Sequence, residues 1–144
     1  MGCHEVILLD THTLLWLLSA DSNLGEKSKT LIDKSYHDNH NTQNHQLAIS
    51  AISFWEISLL KQKSRIEFDE DVTNWRKELL RQGVKEIEIN GEVAIHSTKL
   101  KDFHADPADR FIVSSALQND ATLITADKKI LDWKGGLKTF DARQ

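Results

Sequence analysis

The chain has one cysteine, Cys3, and one proline, Pro107, among 144 residues. A lone cysteine cannot close an intramolecular disulfide, which excludes a disulfide-stapled fold and leads us to expect a reducing, cytoplasmic setting. No apolar run approaches the roughly 20 residues that span a bilayer, so no membrane-anchored class is expected. The opening Met1-Gly2-Cys3-His4-Glu5 lacks a basic leader, and Val6 stands where a myristoylation motif wants Ser or Thr. Basic excess is missing too: 18 Lys and Arg face 22 Asp and Glu, a net charge of −4 that at first sight speaks against a broad nucleic-acid-binding face. Setting four candidate ligand acids aside leaves 18 against 18, so the charge count decides little. There is no glycine-rich phosphate loop, and Gly135-Gly136 reads as a turn. The hydrophobic fraction of 40% and charged fraction of 28% fit one ordinary globular domain over residues 1–144, with no repeat and no interdomain linker.

The apolar pattern alternates between strand and helix. Strands are expected at Glu5 to Leu9, Leu47 to Ser50, Val84 to Ile89, Thr122 to Thr125 and Leu137 to Phe140. Helices are expected at Thr11 to Ala20, Leu24 to Tyr36, Ala51 to Lys63, Val72 to Gln82, Glu92 to Leu100 and Pro107 to Asn119, with a helical turn at Lys128 to Trp133. Gly83 suits the end of the fourth helix, and Asp106-Pro107 suits a helix start. Residues 37–46 contain no apolar side chain and read as a solvated loop. Strands separated by helices imply right-handed parallel crossovers, hence an α/β three-layer sandwich around a central, mainly parallel sheet.

Four acids stand where apolar or loop residues are the norm. Asp10 ends the run Val6-Ile7-Leu8-Leu9, and Asp127 follows Leu123-Ile124-Thr125; in parallel sheets the functional crevice lies at such strand ends. Glu56 shares a helical stripe with Ile52, Trp55 and Leu59, and Asp109 heads one with Ile112, Val113, Ala116 and Leu117. Buried carboxylates are costly unless paired, protonated or bound to a metal. Each acid also has a plain structural reading. Asp10 and Asp127 can cap the helices that follow them, Asp109 can complement a helix dipole, and Glu56 can reach water at its stripe's edge. Those readings need four separate coincidences; a site of oxygen ligands for Mg²⁺ or Mn²⁺ needs one cause. Such ions activate water and offset charge on a phosphodiester under attack. Thr11 and Thr125 carry hydroxyls near the proposed crevice and suit supporting hydrogen bonds. Asp106 reads as a helix cap. His37, His40 and His45 lack cysteine partners and a regular register, so zinc is not the expected metal; His12 and His104 are candidates for substrate contact only.

The ordered set Leu8-Leu9-Asp10-Thr11-His12, Ser50-Ala51-Ile52-Ser53 with Trp55-Glu56-Ile57, His104-Ala105-Asp106-Pro107-Ala108-Asp109-Arg110, and Leu123-Ile124-Thr125-Ala126-Asp127 resembles the PIN-domain family over almost the whole chain. Within it the set is most similar to the VapC-like toxins of toxin–antitoxin pairs. The resemblance implies a Mg²⁺- or Mn²⁺-dependent ribonuclease with Asp10, Glu56, Asp109 and Asp127 as its acidic site. It also implies an RNA substrate, a cognate antitoxin that blocks the site, and a toxin homodimer. For RNA contact, Arg110 beside Asp109 is a candidate, as are Lys61, Lys63, Arg65, Lys128 and Lys129; a solvated charged face is the competing reading for each. Trp16, Phe54 and Trp55 suit either a partner contact or the core. Two other functions stay open. One is an interaction module that binds metal without turnover. The other is a phosphohydrolase using Asp10 as nucleophile, although haloacid-dehalogenase-like enzymes want a second Asp where His12 stands.

Overall fold

A computed structural model describes residues 5–40 and 45–144. Cys3, and the part of the expected polar loop at residues 41–44, lie outside the described residues. Five strands, β1 (Glu5–Leu9), β2 (His45–Ser50), β3 (Lys85–Ile87), β4 (Thr122–Thr125) and β5 (Lys138–Asp141), alternate with helices α1 (Thr11–Leu18), α2 (Glu26–His40), α3 (Ala51–Gln62), α4 (Val72–Arg81), α5 (Gly91–Ser97), α6 (Pro107–Gln118) and α7 (Lys128–Leu131). The sheet is parallel throughout, in the order β3-β2-β1-β4-β5.

The central strand β1 explains the layering. Successive side chains on a strand point to opposite faces. Ile7 and Leu9 therefore join one core with Leu14, Leu24, Ile32, Leu47, Ile49 and Ile124. Leu8 joins the other with Ala48, Leu123, Ile112, Val113 and Ala116. All three β1 residues are fully buried, which is why the strand reads as a continuous apolar run rather than an alternating one. Helices cover both faces, so the three-layer α/β sandwich expected from the sequence is the architecture. Among the described residues no helix is long and apolar enough to cross a membrane.

Two expectations are corrected. Helix α2 runs on to His40, four residues into the stretch expected to be loop, and β2 begins at His45. Lack of apolar residues does not by itself end a helix, whose backbone groups bond within the helix whatever the side chains. The buried face of α3 is Ser53, Phe54 and Ile57, not the stripe through Trp55, which is 55% exposed. Ser53 Oγ lies 2.9 Å from Thr11 Oγ1 at the start of α1, and that contact sets which side of α3 faces inward.

The chain adds β2 and β3 on one side of β1, then β4 and β5 on the other. The reversal falls between β1 and β4, and a crevice opens beyond their carboxyl ends. Asp10 follows β1, Ala126 follows β4, and α6 starts at the same edge because it runs back along the sheet before β4.

Candidate functional site

A cleft of about 360 Å³ lies at this reversal, lined by Asp10, Glu56, Asp106, Asp109 and Asp127 together with Thr11, His12, Trp16, Ile112, Ala126 and Arg143. All four acids singled out in the sequence reach it, and Asp106 makes a fifth. Asp10 is 7% exposed, and its position is fixed from two sides. Its Oδ1 accepts from the Thr13 N–H at 2.8 Å, capping α1. Its Oδ2 accepts from the Thr125 hydroxyl, which itself accepts from the Asp127 N–H at 3.1 Å. The β4 end thus holds both strand-end acids through one side chain.

Glu56 is held in the same manner from α1. Thr11 Oγ1 donates to its Oε1, which leaves Ser53 as the donor to Thr11. Burial pushes the Glu56 carboxyl above its ordinary value, against the lowering effect of the Thr11 bond, and the charges of Asp109 and Asp106 push it further. Asp109 behaves alike: burial raises it first, the hydrogen bond from His104 opposes, and the charges of Asp106 and Asp127 add to the rise. Like charges packed in a partly dry cleft disfavour ionisation. A cation among them would remove that penalty.

Ligand atoms of His104, Asp109 and Asp127 all lie within 4.8 Å of one another, and His104 Nε2 is 2.7 Å from Asp109 Oδ2. Asp10 and Glu56 share the cleft but stand outside this tightest group. Oxygen-rich donor sets of this kind suit hard divalent cations such as Mg²⁺ and Mn²⁺. The donors and their mutual repulsion fit such an ion.

Several acids also cap helices. Asp127 accepts from the Lys129 N–H at 2.9 Å and Asp106 from the Asp109 N–H at 3.2 Å. In Asp127 and Asp106 the cap engages one carboxylate oxygen, Oδ1 in each.

Arg110 is not brought to the cleft. Its guanidinium donates to the backbone carbonyls of His104 (2.9 Å), Ser97 (3.0 Å) and Phe103 (2.8 Å), so it ties the loop before α6 to the end of α5. Lys61 reaches the Glu70 carbonyl at 2.5 Å, and Lys128 pairs with Asp132. Of the other cationic candidates, Arg65 lines a neighbouring cleft that shares His12 and Trp16 with this one. Sequence reasoning missed Ser53, the placing of His104 beside Asp109, and Arg143. The spacing of His104 and Asp109 across a capped helix start carries a signal for the second. Arg143 has none, because it arrives by way of β5.

A sequence profile of the PIN domain matches residues 7–135. The chain is 28% identical over 125 residues to a ribonuclease, VapC22 of Mycobacterium tuberculosis, covering 86% of this chain and 88% of that one. Among solved structures it is similar to VapBC2 from Rickettsia felis bound to a DNA fragment from their promoter, with a TM-score of 0.66 at 17% identity over 94% of this chain and 97% of that chain. VapBC-1 from nontypeable Haemophilus influenzae gives a TM-score of 0.61 at 23% identity, over 96% and 99%.

Proposed function

This chain belongs to the PIN-domain family, and from that premise we propose that it is a VapC-like, divalent-metal-dependent endoribonuclease. Residues 1–144 act as one domain, the toxin of a cytoplasmic toxin–antitoxin pair. The observation that carries the reading is the convergence of Asp10, Glu56, Asp109 and Asp127 on one cleft at the sheet's reversal. The similarity to a ribonuclease and to VapBC assemblies supports the substrate class and the antitoxin partner.

In this reading Asp109 and Asp127, with His104 beside them, hold a Mg²⁺ or Mn²⁺ ion, and Asp10 and Glu56 complete the acidic wall. Bound there, the ion supplies a nucleophilic water at neutral pH and offsets charge on the phosphodiester. The protein's own part is orientation. Thr125 fixes Asp10, Thr11 fixes Glu56, and His104 steadies Asp109, so the carboxylates do not have to be ordered at the moment of reaction. Glu56, whose carboxyl holds a proton more readily than usual, suits orienting the attacking water and receiving its proton.

Cutting of purified total RNA is expected with Mg²⁺ or Mn²⁺ and not with EDTA. No cutting by folded protein under either metal would overturn the reading and favour a binding module. A homodimer is the oligomer proposed. Trp55 and Ile95 are 55% and 60% exposed, and large exposed apolar side chains suit an interface. Trp55→Glu is expected to shift the protein from dimer to monomer in sedimentation; an unchanged profile would remove Trp55 from the interface.

A further inference from the structure

Arg143 is the one Lys or Arg among the described residues lining the acidic cleft. Among the described residues its guanidinium forms no ion pair with the five acids, while the Asp141 carboxylate accepts from its backbone N–H at 2.9 Å. Its Nη1 donates instead to the carbonyl of Ala126 at 2.7 Å, and its guanidinium carbon lies 5.4 Å from the centre of the Trp16 ring. Ala126 sits between Thr125 and Asp127, so the guanidinium is anchored to the backbone of the loop that carries the site.

The backbone under Arg143 is fixed as well. Ala142 is fully buried, and its N–H donates to the Thr125 carbonyl at 2.9 Å. The Gly25 N–H donates to the Ala142 carbonyl, and the Ser28 N–H to that of Gln144. The approach at Gly25 is close enough that a Cβ there would lie 2.0 Å from the Gln144 carbonyl oxygen and 2.4 Å from that of Arg143. Only glycine admits this segment at its position.

A guanidinium carries five N–H donors in a planar fork and stays charged throughout the working pH range. One bond to a carbonyl and one aromatic face hold Arg143 without using most of that fork. Five carboxylates around a divalent cation still leave the cleft negative, and a polyanionic strand entering it needs a cation at the rim. Arg143 also lines a second cleft, with Ala126, Lys128, Asp132, Thr139, Phe140 and Asp141, in which Lys128 is paired with Asp132. Ala126 and Arg143 line both clefts, so the guanidinium stands where the two meet.

Resting on the nuclease reading above, we propose that Arg143 binds the RNA phosphate next to the one that is cut. The fork geometry suits two phosphate oxygens at once.

The test compares wild type, Arg143→Ala and Arg143→Lys on a fluorescent, mixed-sequence single-stranded RNA in Mn²⁺. Affinity and cutting rates are measured over a range of salt. Arg143→Ala is expected to weaken RNA binding and raise KM roughly tenfold with little change in kcat. The slope of log affinity against log salt should fall by about 0.7, one phosphate contact on a single strand. Arg143→Lys should keep that slope while recovering only part of the affinity. The rise in thermal midpoint on adding Mn²⁺ should be the same in all three, which a residue merely supporting the metal site would not allow. Unchanged KM and salt slope in Arg143→Ala, or loss of its Mn²⁺ response, would overturn the proposal while leaving the nuclease reading intact. If wild type binds this RNA with a slope that Arg143→Ala lowers, but cuts no RNA, the phosphate contact stands and the nuclease reading falls. Wild type that neither binds nor cuts would overturn both.

Discussion

Replacing Glu56 by Gln is expected to lower RNA cleavage by at least about a hundredfold, beyond the loss typical of a residue that only supports a metal ligand. The same change should raise the thermal midpoint of the metal-free protein at neutral pH. The two effects have one origin. Glu56 sits in a cleft where burial and the charges of Asp109 and Asp106 hold its carboxyl above the ordinary value. The folded protein therefore binds that proton more tightly than the unfolded chain does. Ionised Glu56 costs stability at any pH above its folded pKa, and stability rises as pH falls through that value. Gln keeps an oxygen to accept from Thr11 but carries no charge, so it removes the penalty along with the function. Thermal scans in EDTA from acidic to neutral pH should show the wild type gaining stability toward acid and the variant gaining less. Adding Mn²⁺ should raise the wild-type midpoint, since an ion bound only by the folded state stabilises it, and should raise the variant's less. A Gln variant that is less stable than wild type in EDTA at neutral pH would mean that Glu56 serves the fold rather than the cleft.

The local pattern of the chain carries the architecture well, because a parallel sheet buried on both faces forces apolar runs such as Ile7-Leu8-Leu9 and Leu123-Ile124. The strand-end acids are legible for the same reason: Asp10 and Asp127 interrupt the pattern where the chain leaves the sheet. The capping and cleft readings of these residues look like rivals in the sequence. In the structure they coexist, since Asp10 and Asp127 each use an oxygen on a helix start and still line the cleft. What the pattern misplaces is rotation. A stripe of Ile52, Trp55, Glu56 and Leu59 has helical spacing, but the side of α3 that turns inward is settled by Ser53 meeting Thr11, a contact 42 residues apart in the chain. Arg110 and Arg143 fail for a related reason. Neighbourhood in sequence put Arg110 at the site, whereas three backbone carbonyls claim its donors. Arg143 reaches the site only because β5 lies beside β4 and ends at the same edge.

Thr125→Val is expected to unfold at lower denaturant than wild type and to lose metal affinity or activity by roughly 10- to 100-fold, the range for residues that orient a metal ligand. Valine matches threonine in shape and branching, so packing in the fully buried position at the end of β4 is kept. What goes is one hydroxyl with two duties. It donates to Asp10 Oδ2 and accepts from the Asp127 N–H. Removing it leaves a buried carboxylate oxygen and a part-buried N–H short of partners, at about 1–3 kcal/mol for a buried group left unsatisfied. Thr125→Ser separates the duties from the shape. It restores the hydroxyl, so cutting and metal response should return most of the way, while the missing methyl leaves a small deficit in stability. Denaturant midpoints with a Mn²⁺ titration of all three proteins distinguish the cases. If Thr125→Val loses stability but binds Mn²⁺ as wild type does, the hydroxyl only completes the turn into α7. If both fall together and serine rescues both, the strand end and the acidic cleft are held by the same hydroxyl.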